Sequence, residues 1–197
     1  MSRLNYIYIT LAAIAFLFIN GGESLSQQLS TPVSVHLPIM LKSLDYDRNL
    51  KNKNIIRIGI IYQENFRSSF NTKNQVINIA KELESKANSN FQFEFEGINI
   101  NKSDDIRDFI KTGNYDVVYI APLRSVNVEN LANILRQNKI LALTGIAEYI
   151  IYAIPFIVDL DDNKPRLVID LNNSKLSGAD FNVSLLKLAK VINTNND

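Results

Sequence analysis

Residues 55–62 read Ile-Ile-Arg-Ile-Gly-Ile-Ile-Tyr, a nearly continuous β-branched run. A strand with one wet face alternates apolar and polar residues, whereas a strand covered on both faces stays apolar throughout. Residues 55–62 therefore predict a central strand sandwiched between helices. Outward from it the period switches between helix and strand. Val76, Ile79, Ala80, Leu83 and Ala87 mark one face of a helix beginning near Ser68–Thr72. Phe91, Phe93 and Phe95 alternate with Gln92, Glu94 and Glu96, the pattern of an edge or near-edge strand. Ser103, followed by Asp104 and Asp105, is placed to start a helix that Gly113 stops. Val117 to Ala121 form a second buried strand, Asn127 caps a helix burying Leu131, Ile134 and Leu135, and Ile140 to Thr144 follow as a further strand.

Strand–helix–strand alternation means a parallel sheet with right-handed crossovers. Upstream, Leu37, Met40, Leu41 and Leu44 predict an amphipathic helix starting at Thr31-Pro32 or after Pro38. Downstream, Tyr149 to Leu160 and Arg166 to Leu171 are strand-like runs joined by the five-residue connection Asp161 to Pro165, which predicts an antiparallel hairpin. A helix over residues 179–193 closes the chain. The expected fold is α/β: a single three-layer domain with a mainly parallel central sheet, a C-terminal antiparallel hairpin and a closing C-terminal helix.

The 197-residue chain carries 21 Lys and Arg against 20 Asp and Glu, a formal charge of +1, 46% hydrophobic residues, one histidine and no cysteine. Near-neutrality gives no broad electrostatic reason to bind nucleic acid. Absence of cysteine excludes disulfides, thiolate nucleophiles and Cys-ligated metals. At the N-terminus, Arg3, the uncharged run Ile7 to Ile19, the break Gly21-Gly22 and the small residues of Ser24-Leu25-Ser26 form a secretory signal over residues 1–26. The run is short for a bilayer core, which needs about 20 apolar residues. Cleavage removes Arg3 and Glu23 together and leaves the charge unchanged, with no membrane insertion of the mature chain. Residues 27–34, polar and proline-punctuated, read as a mobile N-terminus, 35–193 as the domain and 194–197 as a tail.

The chemistry-bearing residues are few. His36 has no serine or carboxylate spaced for a triad, so a surface or helix-start position is expected. Asp104/Asp105 and Asp161/Asp162 fit helix-start and hairpin-turn duties, and Asp159, Asp161 and Asn163 lack the glycine and distal Glu of a calcium loop. No catalytic set, metal site or cofactor fingerprint can be assembled. Polar residues instead gather after the parallel strands, where α/β sheets collect ligands. These loops hold Gln63, Asn65, Arg67 and Ser68, then Arg124 and Ser125, then Thr144. Arg67 and Arg124 are placed to meet at one rim and hold a small anionic ligand. A protein-contact surface, or ordinary exposed loops, explain the same residues, and all three readings stay open.

The C-terminal stretch resembles the signature that closes the YfiR-like family of bacterial periplasmic proteins. Arg166 to Leu171, Gly178-Ala179-Asp180-Phe181 and Leu185-Leu186-Lys187-Leu188-Ala189 correspond to its strand, its glycine-containing turn and its Leu-Leu-x-Leu-Ala helix. Arg166, Asp170, Leu171, Gly178, Leu185, Leu186, Leu188 and Ala189 are thus expected to be structural. The likeness extends over about residues 33–193, but only the last thirty are specific. Asp170 stands where the family usually has Asn, Leu44-Asp45-Tyr46-Asp47 replaces its Trp-Pro, and its cysteines are missing, which excludes a thiol switch. The resemblance implies a non-enzymatic periplasmic regulator that binds an inner-membrane sensor protein such as a diguanylate cyclase. The competing expectation is a periplasmic small-anion-binding protein without a dedicated protein partner. A homodimer is left open.

Overall fold

A computed structural model describes residues 28–84 and 91–192, so the signal, Ala87 and the tail lie outside the described residues. The helices and strands, in chain order, are α1 (Val33–Leu44), β1 (Ile55–Tyr62), α2 (Arg67–Glu84), β2 (Gln92–Asn99), α3 (Ile106–Gly113), β3 (Val117–Ile120), α4 (Val128–Gln137), β4 (Leu141–Thr144), β5 (Phe156–Asp161), β6 (Lys164–Asp170), α5 (Leu171–Leu176), α6 (Val183–Leu188) and β7 (Lys190–Ile192). Short 3-10 turns span Ser103–Asp105 and Ala147–Tyr152.

The expected α/β architecture is present. All seven strands form one sheet in the order β2-β1-β3-β4-β5-β6-β7. β1 to β5 run parallel, β6 returns antiparallel to β5, and β7 lies parallel to β6. From β1 the chain moves one way to β2 and then crosses back to β3, so the order reverses between β1 and β3. That reversal leaves a crevice beyond the carboxyl ends of these strands. One face packs Ile56, Ile58, Ile60, Tyr119 and Phe156 under α1 and α2. The other packs Ile61, Val118, Ile120 and Ala142 against α3 and α4. Two covered faces account for the unbroken apolar run of β1, while β2 occupies the sheet edge as its alternation predicts.

Several local expectations are corrected. α1 starts directly after Pro32, the earlier of its two expected starts, but residues expected to be mobile are docked from Ser30 onward: the Ser30 N–H donates to the Gly145 carbonyl at 2.8 Å, and Thr31 and Val33 are buried. Ahead of α3, the Asp105 carboxylate accepts from the Asn101 and Lys102 N–H groups, at 2.7 and 3.1 Å. Ser103, expected to be the cap, instead accepts from Asn130. Asn114, at φ 52°, rather than Gly113, takes the left-handed position that ends the helix. The run from Tyr149 is not strand at first; it forms a 3-10 turn ended by left-handed Ala153, and β5 begins only at Phe156. The hairpin connection shrinks to Asp162-Asn163, both at positive φ, as a two-residue turn between right-twisted strands requires. Pro165 is tolerated in β6 because β7 pairs only with Val168 to Asp170.

Within residues 179–193, expected as one closing helix, the chain forms the shorter helix α6 followed by the edge strand β7, and the unexpected short helix α5 precedes them. Asp170 caps α5 by accepting from the Asn173 N–H at 2.9 Å, and Asn182 caps α6. Gly178 sits at φ +87° with the Lys139 carbonyl 3.0 Å from where a Cβ would lie, so only glycine fits. Leu185 enters the core and Leu186 is half-buried, but Leu188 is 73% exposed, contrary to a purely structural role. Arg166 is exposed and pairs with Asp161.

Candidate functional site

The carboxyl ends of β1 to β5 meet the solvent in two halves. Over β1 and β3, Gln63 joins the loops that flank the reversal point. Its side-chain amide accepts from the Arg124 N–H at 2.6 Å and donates to the Arg124 carbonyl at 3.1 Å. This two-point bond copies a peptide pairing and holds the loops in fixed register. The Gln63 N–H donates to the Ser69 hydroxyl at 2.9 Å, folding the loop back over the start of α2. Glu64 is tied on the other side, its N–H donating to the Asn99 side chain at 3.0 Å.

Above this frame Asn65, Arg67, Ser68, Arg124 and Ser125 are exposed. Ser125 adopts φ 57°, a left-handed bend that turns the β3 loop outward. The first turn of α2 has N–H groups without intrahelical acceptors, and it begins at Arg67. Among the described residues, neither the Arg67 nor the Arg124 guanidinium is held in a salt bridge. Two cations, two hydroxyls and a helix start thus lie exposed on the two loops that flank the reversal point. An anion would find charge-assisted donors there.

The β4 half is closed. Thr144, expected to join the site, is fully buried; its hydroxyl donates to the Ile120 carbonyl at 2.9 Å and accepts from the Ile146 N–H. Across the strand end lies the segment Ser30 to Pro32, where the Ser30 hydroxyl accepts from Ala147 N–H at 3.1 Å. Under it sits His36, fully buried in α1 and not at the surface as expected. The Thr31 carbonyl can only accept, so the proton is on Nδ1, which donates to it at 3.0 Å. Nε2 therefore accepts from the Tyr119 hydroxyl at 2.8 Å. The His36 and Tyr119 rings stack with centroids 5.8 Å apart. A Cβ on Gly145 would lie 2.5 Å from His36 Cε1, so the glycine makes room for the imidazole.

Burial lowers the His36 pKa from 6.5 to about 4, and burial raises that of Tyr119 well above its ordinary value. Both groups are neutral and mutually satisfied near pH 7, the condition of a structural network and not of a poised acid or base. Tyr149 extends the closure by accepting from the Leu123 N–H at 3.0 Å. Of the expected ligand residues, the Gln63–Arg124 bond joins the loop of Gln63, Asn65, Arg67 and Ser68 to that of Arg124 and Ser125, while Thr144 is buried apart from both. The residues missed from sequence are Ser69, which anchors the loop, and His36, Tyr119 and Tyr149. His36 had a signal: it lies three residues after Val33 and four before Met40, on the apolar face of α1.

No protein-family model matches the sequence, and no curated protein matches it. Among solved structures, a conserved domain protein from Vibrio cholerae aligns with a TM-score of 0.56 at 14% identity, over 82% of this chain and 60% of that one. An ABC domain in complex with L-Trp from Streptococcus pneumoniae aligns with a TM-score of 0.52 at 14% identity, over 77% of this chain and 62% of that one. The chain therefore spans about six-tenths of the length of these two proteins, and at such identities the likeness is one of fold.

Proposed function

We propose that this chain is a binding protein that acts by reversible association, without a covalent step, and that it takes a small anionic ligand at the β1/β3 crevice. The observation that carries the reading is the Gln63–Arg124 bond, which fixes two loops so that Arg67, Arg124, Ser68 and Ser125 border the place where an open α/β sheet binds ligands. Fold likeness to a domain crystallised with L-Trp supports a binding role without naming the ligand. In thermal-shift measurements with phosphate, sulfate and amino-acid carboxylates, at least one anion should raise the melting midpoint. Arg67→Ala and Arg124→Ala should each abolish that rise. A rise that survives both substitutions would remove the site.

A second reading has its own support. The YfiR-like resemblance implies an exported regulator of an inner-membrane sensor, and the α6 helix of that signature leaves Val183 58% and Leu188 73% exposed. Apolar side chains so placed favour burial against another protein. On this reading the chain is periplasmic after loss of residues 1–26, and association alone changes the sensor's state. Crosslinking in intact cells should recover an inner-membrane sensor, and Leu188→Asp should reduce its recovery; background recovery from wild type would contradict it.

A further inference from the structure

We propose that the outer edge of β2 docks an extended strand of another protein, one that alternates apolar residues with lysine or arginine. This goes beyond the anion site and does not depend on it. β2 pairs with β1 along all eight residues, and among the described residues no strand covers its other edge. The Gln92 N–H donates to Asn54 and the Ile100 N–H to Tyr62, so even-numbered residues point their backbone groups inward. Phe93, Phe95 and Gly97 therefore turn their N–H and C=O groups outward, a ready ladder for one more strand. The sheet's opposite edge, β7, has only three residues; shortness protects that edge, and β2 lacks such protection.

Side chains specify the occupant. On one face Phe93 and Phe95 are half-buried with ring centroids 6.4 Å apart, and beside them the Tyr62 ring lies 3.2 Å from where a Cβ on Gly97 would be. On the other face Glu94 and Glu96 are exposed. Arg57 donates to Glu94 at 3.2 Å and the Tyr115 hydroxyl to Glu96 at 2.9 Å, which orients both carboxylates yet leaves one cation facing two anions. A second copy of this chain fits poorly. An antiparallel two-fold pairing centred on Glu94, Phe95 or Glu96, the middle of β2, sets Glu94 opposite Glu96, or one of them opposite itself, and like charges directly opposed destabilise a sheet. A basic and apolar strand meets the carboxylates on one face and the phenylalanines on the other.

The test uses the whole exported chain and two eight-residue peptides, one alternating Val with Lys and one alternating Val with Glu. The Lys peptide should slow amide exchange at Phe93, Phe95 and Gly97 and bind about tenfold more tightly than the Glu peptide, the scale of two reversed cross-strand charge pairs. The variant carrying Glu94→Lys and Glu96→Lys should reverse that preference. Equal binding of both peptides, or an unchanged preference in the variant, would overturn the proposal. Wild-type exchange is decisive if the variant misfolds: absent protection at those three amides contradicts docking, and protection that grows with chain concentration alone assigns the edge to a second copy and contradicts it equally.

Discussion

Two halves of one sheet end differ in what their polar groups bond to. Over β4, the Ser30–Pro32 segment, His36, Tyr119, Gly145 and Tyr149 satisfy one another inside the protein. Over β1 and β3, the Gln63 amide, the Ser69 hydroxyl and the Asn99 side chain are so used, while Arg67 and Arg124 are exposed. A buried polar group must find a partner at folding, so its bonds contribute to stability. A polar group left at a rim contributes little to folding and is free to bind. The contrast assigns stability to one half and, on the proposed function, recognition to the other.

The largest effect expected from the contrast is a dependence on pH. Because folding lowers the His36 pKa from 6.5 to about 4, the unfolded chain takes up this proton first as pH falls. The contribution of His36 is complete above pH 6.5, declines between 6.5 and 4, and is lower by about 3 kcal/mol below that window. Asp47, whose pKa is raised by burial, acts in the opposite sense at acidic pH. Urea midpoints of wild type and His36→Gln across this range isolate the histidine, and parallel curves would break the assignment.

Gly145→Ala should cost about 2 kcal/mol, because the new methyl would displace the imidazole from a packed site. Denaturation at pH 7 measures it, and a neutral result would mean that the β4 half is loosely closed. Gln63→Ala, which removes both bonds to the Arg124 backbone, should cost about 1 kcal/mol in the same assay and weaken anion binding by loosening the loop frame. Smallest of all, Arg67→Ala and Arg124→Ala should change stability by less than about 0.5 kcal/mol, since both are exposed. A larger loss from either arginine would move that residue from recognition to structure.

Much of this division was legible in the residues. The apolar run of β1 and the alternation of Phe91, Phe93 and Phe95 place one strand inside the sheet and the other at its edge. Crossover logic then puts the loops of Arg67 and Arg124 at the same end. What escaped depends on contacts distant in the chain. His36 meets Tyr119 and Gly145 only after β3 and β4 are laid side by side, and nothing local to Gln63 announces a bond to the backbone of Arg124. The last third misled because Tyr149-Ile150-Ile151-Tyr152 has strand-like composition, whereas left-handed Ala153 and the buried Tyr149 hydroxyl hold it in a 3-10 turn. Similarly, the leucines near residue 185 promised one long helix, but the Asn182 cap starts α6 only at Val183 and extended Ala189 ends it before β7.

The most direct measurement is a backbone amide shift map of the chain titrated with the anion that gives the largest thermal shift. The account predicts changes confined to residues 63–69 and 122–126, with residues 144–149 unmoved and the changes absent in Arg67→Ala and Arg124→Ala. Changes centred on residues 144–149, or spread evenly over the surface, would contradict it.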